Sequence, residues 1–306
     1  MIHKHTITLK GPAAAAAGLS GHLLRDLMDV LVQGAEQSLR FAIEGRSAAT
    51  GTPPTWLRAA ADFDMMDLAK SPRGRTFKLE ARPILESLPD RFSQSDMFDD
   101  LDPRRSPLEL FELALEHALA GDEDSAAFDH GLLKTCAQFR SVLGAGLESV
   151  EIKNGRSIIV DGASVEQAVR LSKVEFRSRK VRLAGQLETI SYSDCRFMLR
   201  LESGARIAGT ARDLGAETLR SAFGRKVTVT GTADFRPSGS LLRLNAESVD
   251  EASPNDLQIF ASIPRPLLGP PLVESERARG GFAALLGQWP GDESIEELME
   301  QMKELA

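Results

Sequence analysis

Between Lys180 and Val249 the sequence lays out five strand-length segments: Lys180 to Ile190, Arg196 to Glu202, Arg206 to Thr210, Lys226 to Phe235 and Ser240 to Val249. Within them Val181, Leu183, Leu187, Phe197, Leu199, Ile207, Val227, Val229, Leu242 and Leu244 supply one apolar face. A short helical stretch within Ala211 to Phe223 separates the third segment from the fourth. Three strands, one helix and two strands is the order of a small Greek-key barrel. Gly185, Gly209 and Gly231 stand inside strands, where the sharp bends of a closing barrel favour glycine. Gly204 and Pro237-Ser238-Gly239 provide the turns.

The first 172 residues read as a separate α+β domain. Ile2 to Leu9 alternates as a first strand, and Ser20 precedes a long helix to about Ala42 with Leu23, Leu24, Leu27, Val30, Leu31 and Ala35 on its inner face. Trp56 to Ala61 follows Pro53-Pro54 as a short helix. Phe63 to Leu68 and Thr76 to Ala81 suit two strands, although Met65-Met66 also fits a helix. Pro89 to Pro107 is a polar, acidic loop, after which Ser106 and Pro107 open a helix over Leu108 to Ala120. A further helix is expected over His130 to Leu143. Asn154-Gly155 then marks a hairpin between Ser149–Lys153 and Arg156–Val160, and Ser164 opens a helix to about Leu171. The organisation is therefore α+β: an α+β domain over 1–172, a five-stranded barrel over 173–252, and an extended arm with a C-terminal amphipathic acidic helix over 253–306.

Composition narrows the function classes. Aromatic residues make up 6% of the chain, with one tyrosine, so stacking platforms for single-stranded nucleic acid are scarce. A net charge of −7 argues against a chain that coats itself with nucleic acid throughout. Cys136 and Cys195 are too few for a disulfide framework or a zinc knuckle and read as reduced structural thiols. Ala13 to Ala17 is too short and too weakly apolar to span a bilayer. The reading is a cytoplasmic protein that does not engage a membrane. His3 and His5 have no carboxylate or cysteine at a recognisable metal-ligand spacing, and His117 and His130 read as helix-surface or loop residues. Asp96, Asp99, Asp100 and Asp102 lack the glycine and terminal glutamate of a calcium loop. No phosphate-cradling loop and no glycine-flanked nucleophile elbow is present. No catalytic residue, metal or cofactor is assigned, and the expectation is that the chain is not an enzyme.

The last thirty residues carry a different signal. Gly287-Gln288-Trp289-Pro290-Gly291 leads into Asp292-Glu293, and Ser294-Ile295-Glu296-Glu297 reads as a capping box. Ile295, Leu298, Met299, Met302 and Leu305 fall on one helical face, with Glu296, Glu300 and Glu304 on another. A helix this short is marginal alone in water and gains from a surface to lie on. Six acidic residues against Lys303 make Phe282 to Ala306 strongly negative, whereas 173–250 carries fourteen Lys and Arg against nine Asp and Glu.

The Gly185-Gln186-Leu187, Gly204, Lys226-Val227-Thr228-Val229-Thr230-Gly231-Thr232 and Pro237-Ser238-Gly239 series resembles an OB-fold module of about 80 residues. Trp289-Pro290-Gly291-Asp292 followed by Glu296-Glu297-Leu298-Met299 resembles the neutralising tails of antitoxins paired with PIN-domain ribonucleases. That resemblance covers some twenty residues and implies a protein partner, a nuclease toxin encoded next door. It would be held by Arg277, Arg279, Trp289, Ile295, Leu298, Met299 and Met302. The chain departs from small antitoxins in having no short N-terminal DNA-binding module. The alternative is a barrel that binds nucleic acid through Arg177, Arg179, Lys180, Arg182, Arg196, Arg200 and Arg206. The plainer reading of these residues is a solvated strand face. Homo-oligomer formation stays open, as does a hidden active site in the N-terminal domain.

Overall fold

The structure, a computed structural model, describes residues 2–49, 51–71, 74–89, 101–191 and 195–268. The N-terminal domain contains β1 (His3–Lys10), α1 (Pro12–Ala15), α2 (Gly21–Glu44), α3 (Thr55–Ala61), β2 (Phe63–Ser71), β3 (Gly74–Ala81), α4 (Ile84–Ser87), α5 (Pro107–Ala120), α6 (His130–Ala137), α7 (Phe139–Gly144), β4 (Ser149–Asn154), β5 (Arg156–Asp161) and α8 (Gly162–Ser172). Then come β6 (Phe176–Arg177), β7 (Arg179–Ser191), β8 (Arg196–Leu201), β9 (Arg206–Thr210), a 3-10 turn (Arg212–Leu214), α9 (Ala216–Ala222), β10 (Lys226–Phe235), β11 (Leu241–Glu251), α10 (Pro254–Ile259) and β12 (Leu267–Leu268).

The first sheet has the order β2-β3-β1-β4-β5 and is antiparallel throughout. Its alternation puts Ile7, Leu9, Phe77, Leu79, Val150, Ile152, Ile158 and Val160 on the buried side, where they join one core with Leu23, Leu27, Leu31, Phe111, Leu115, Phe139 and Val165 from the helices. A second cluster joins Ala35, Leu39 and Ile43 to Leu57, Ala60, Ile84 and Leu101, which seats the far end of α2 against α3 and α4. Gly34 lets the Phe111 ring press directly on α2. The edge strand β2 exposes Met65, Met66 and Leu68, and Asp67 turns to a φ of 48° where its pairing with β3 slips. Such a bulge blunts an edge that would otherwise invite a foreign strand.

The second unit is a closed barrel. β7, β8 and β9 form an antiparallel meander, β9 pairs in parallel with β11, and β10 pairs antiparallel with both β11 and β7. This is the expected OB-like arrangement. Val181, Leu183, Leu187, Phe197, Leu199, Ile207, Val227, Val229 and Leu244 fill the interior, with Leu219 and Ala222 of α9 plugging one end. Gly209 faces the Phe197 ring, and Gly185 and Gly231 abut the carbonyl oxygens of Arg200 and Asn245.

Local signals are realised unevenly. Ser106 caps α5 in a full capping box with Glu109, and Asn154-Gly155 closes the β4–β5 hairpin, with Gly155 at φ 68°. Ser20 stands at the start of α2, but its hydroxyl makes no capping bond. Asp161 caps α8, and Ser164 is its reciprocal partner rather than the cap. The single helix expected over 130–143 is two, α6 and α7, because Gln138 ends the first turn-series and begins the next. Leu267–Leu268 of the expected arm pairs with Phe176–Arg177. The expected arm is not extended throughout, because α10 forms near its start, while the acidic residues 96, 99 and 100, the arm from residue 269 onward and the expected C-terminal helix lie outside the described residues.

Candidate interface at the domain junction

Helix α2 ends at Gly45, which takes a φ of 79° and returns its amide to the Phe41 carbonyl. The last carbonyls of a helix lack partners within it and carry the negative end of its dipole. Here they meet arginines of the barrel. Arg196, the first residue of β8, donates to the carbonyls of Ala42 and Ile43, and Arg212, from the turn after β9, donates to Ile43 at 2.7 Å. Arg243 of β11 lies 5.2 Å from the centre of the Phe41 ring and against Gly45, where any side chain would collide with its guanidinium. Burial pushes Arg243 down to about 10, Arg196 adds to the effect, and Asp129 and Asp234 oppose it. Three barrel elements thus grip one helix end. On the neighbouring loop, Ser238 and Ser240 both hold Asp124, at 2.5 and 2.8 Å, and the Ser238 amide donates to the Glu123 carbonyl.

Beside this grip a cleft of about 220 Å³ opens between the two units, lined by Arg46, Asp129, His130, Glu175, Phe176, Ser178, Asp234 and Phe235 among others. Asp129 caps α6 through the Leu132 amide and also accepts from the amide and hydroxyl of Ser47, tying the segment after α2 to α6. Asp234 accepts from Ser178 and Asn245, yet burial dominates and raises it above the ordinary carboxyl range. His130 Nε2 is 3.2 Å from Glu175 Oε2 without the alignment of a hydrogen bond, and burial holds the ring below its usual value of 6.5 despite that carboxylate. The unfolded chain therefore binds the His130 proton more readily than the folded one, so acidification through the region of 6.5 should erode stability. His130→Gln is expected to flatten that part of the curve of melting temperature against pH; an unchanged slope would remove His130 as its source.

The described residues end beside this junction. β12 pairs with β6, Arg179 donates to the Arg265 carbonyl, and Gly239 packs between Pro266 and Phe176. Arg182 stacks on Phe260 at 5.0 Å, just after α10. Of the barrel cations singled out in the sequence, Lys180 pairs with Glu247 at 2.9 Å, and Arg200 and Arg206 both pair with Glu188. Arg196 serves the junction. Arg177, Arg179 and Arg182 share the side crossed by the segment after α10. Carboxylates thus stand among these residues, and Arg196 is turned to the end of α2. Arg277, Arg279, Trp289, Ile295, Leu298, Met299 and Met302 lie outside the described residues. Arg212, Arg243, His130, Glu175 and Asp234, which organise the junction, carry no motif; only an arginine opposite an aspartate in paired strands hints at Arg243, set against Asp234.

The two N-terminal histidines acquire partners that sequence spacing hides. His5 is fully buried and donates from Nδ1 to Glu112 at 2.5 Å, while the Ser106 hydroxyl lies 3.4 Å from its Nε2. His3 sits 3.2 Å from Glu109 and contacts the Arg104 carbonyl. The Ser106-His5-Glu112 connectivity is that of a catalytic triad, but Ser106 is fully buried and its hydroxyl accepts from the Glu109 amide as a helix cap. The arrangement joins β1 to α5. A larger cleft of about 380 Å³ lies nearby, with Glu109, Glu112, Glu116 and Arg156 in its wall. Its carboxylates are already engaged by His3, Asn154, His5 and Arg156, so the junction is the stronger site. Among the described residues no group of three or more His, Cys, Asp or Glu is placed to hold a metal ion, and no helix is long and apolar enough to cross a membrane. Cys136 and Cys195 are free thiols, and burial pushes Cys136 up. Comparison with known proteins gives no match to any family, curated protein or solved structure.

Proposed function

We propose that this chain is a non-catalytic regulator of the antitoxin type, whose two-domain body presents a C-terminal tail to a partner nuclease. The observation that supports the reading most is the place where the tail begins. β12 pairs Leu267 and Leu268 with β6 at the domain junction, and the described members of both cores all lie upstream of α10. The 38 residues after Leu268 carry the Trp289-Pro290-Gly291-Asp292 sequence and the apolar stripe of Ile295, Leu298, Met299 and Met302. A tryptophan followed by an amphipathic helix is suited to a pocket and groove on another protein. Arg277 and Arg279 bring guanidinium groups that pair with the carboxylates of a nuclease metal site. The alternative, a barrel that binds nucleic acid, draws on its outward arginines, but the ion pairs to Glu188 and Glu247 neutralise much of that face.

Coexpression with the nuclease encoded beside it tests the proposal. Trp289→Ala together with Leu298→Ala should abolish copurification and neutralisation of growth arrest, since truncating one such anchor often costs about 2 kcal/mol or more, roughly thirtyfold in affinity. The melting temperature of the lone protein should stay nearly unchanged. A double variant that unfolds the protein yet still holds the nuclease would place the tail in the core and end this reading.

A further inference from the structure

Five arginines crowd the end of α2, and three of them aim at a single atom. Glu44 Oε2 lies 3.6 Å from Arg40 Nε, 3.4 Å from Arg46 Nε and 3.9 Å from Arg212 Nη1. Charge-assisted bonds between guanidinium and carboxylate normally close to about 2.7–2.9 Å. Among the described residues one carboxylate thus stands at arm's length from three cations, Arg212 being held as well by the Ile43 carbonyl. Behind them stand Arg196 and Arg243, with Asp129 and Asp234 acting on Arg243 from the cleft side. Arg40 is 8% exposed, and its Nε makes no hydrogen bond; Arg243 Nη1 is likewise buried with no hydrogen-bond partner. Among the described residues Glu36 also lies within reach of Arg40's charge. A buried guanidinium with an unanswered N–H is costly, and crowded like charges add to the cost. The rim is open: the Arg46 side chain is 63% exposed, so a solute reaches the cluster without unfolding either domain.

We propose that this cluster is an anion seat for a phosphate group, which displaces the Glu44 carboxylate and is held by Arg40, Arg46 and Arg212. Phosphate brings more charge and more acceptor oxygens than one carboxylate, and arginine matches it in bidentate geometry. The seat lies where the two domains meet, so its ligand binds both at once: Arg40 and Arg46 from the end of α2, Arg212 from the barrel. The phosphate belongs either to a small free anion or to a nucleic-acid backbone, and the site's chemistry is common to both. The inference is independent of the tail's role, because none of its residues lies beyond Leu268.

The test uses the full-length protein at low ionic strength, with inorganic phosphate, pyrophosphate and a fluorescent twelve-nucleotide oligothymidylate as probes. Calorimetry should show saturable pyrophosphate binding, and Arg46→Ala with Arg212→Ala should weaken it by about tenfold or more. Glu44→Gln removes the internal competitor and should tighten it, again by about tenfold. Were Glu44→Gln to fail to fold, Arg46→Ala alone, at an exposed position, still reports the loss. Oligothymidylate binding that outcompetes pyrophosphate and falls steeply with salt assigns the seat to a nucleic-acid backbone; pyrophosphate binding alone assigns it to a free anion. Absence of saturable binding by every probe to both wild type and Glu44→Gln overturns the proposal, as does binding indifferent to Arg46 and Arg212.

Discussion

Gly185→Val is expected to destabilise the barrel strongly while leaving the N-terminal sheet as stable as before. Gly185 sits in β7 between two neighbours, opposite Leu201 of β8 and Val227 of β10. A Cβ there would collide with the Arg200 carbonyl oxygen and sit 3.2 Å from the Leu201 Cα. These are backbone atoms held by the ladder, so no side chain swings aside to make room. Relief requires parting β7 from β8, and the seam that closes the barrel opens with it. Overpacking a core commonly costs about 1–3 kcal/mol, and a clash against backbone in a closed sheet belongs at or above the top of that range. Whole domains are stable by only about 5–15 kcal/mol. Hydrogen exchange should therefore show the amides of β7 to β11 losing protection while those of β1, β3 and β4 keep theirs. Simultaneous loss in both units would mean that the arginine grip on α2 makes them one cooperative body. Wild-type protection throughout would contradict the strand closure itself.

Glu112→Ala is the second large effect, and it acts in the other domain. His5 is fully buried and has Glu112 as the acceptor for its Nδ1 proton at 2.5 Å. Removing the carboxylate leaves a buried donor without a partner, which costs about 1–3 kcal/mol for a neutral ring and about 3–5 kcal/mol when a buried charge loses its counter-charge. Glu112→Gln keeps an acceptor oxygen and most of the shape, so it should recover part of the loss. The control is Glu116→Ala on the same helix, where a 3.7 Å contact to an exposed Arg156 is worth little, within about 0.5 kcal/mol. Urea midpoints with unchanged slope would give the three values. A Glu112→Ala variant as stable as Glu116→Ala would show that β1 and α5 do not depend on this contact.

Local chemistry made much of the fold legible. Ser106-Pro107 with Glu109 states a helix start in four residues, and Asn154-Gly155 states a hairpin in two, because each motif satisfies its own backbone groups without help from afar. The barrel strands were legible for a related reason: period-two alternation dictates which side of each strand is buried. The junction was not legible. Arg196, Arg212 and Arg243 are separated along the chain from Phe41, Ala42, Ile43 and Gly45, and nothing in an arginine's neighbours announces that its partner will be a helix end. His5 and Glu112 are 107 residues apart, so the metal-ligand spacing sought around His3 and His5 had no reason to find the carboxylates that α5 delivers. Arg200 and Arg206 read as a basic surface until the bulge in β7 brings Glu188 between them.

The α+β class, the strand order of a small barrel and the glycines that its closure needs were all readable from the chain, because these depend on periodicity, turn chemistry and steric room within a few residues. Which charges meet was settled by the packing of segments remote in sequence. A guanidinium on a strand reads the same whether it faces water, a glutamate or the last carbonyls of a helix. Its energy depends on solvent exclusion and on distances of a few ångströms between segments remote in sequence. That is why the basic residues of one barrel divide into ion pairs with Glu188 and Glu247 and a grip on α2, and why Glu44 stands among three arginines that no local pattern connects.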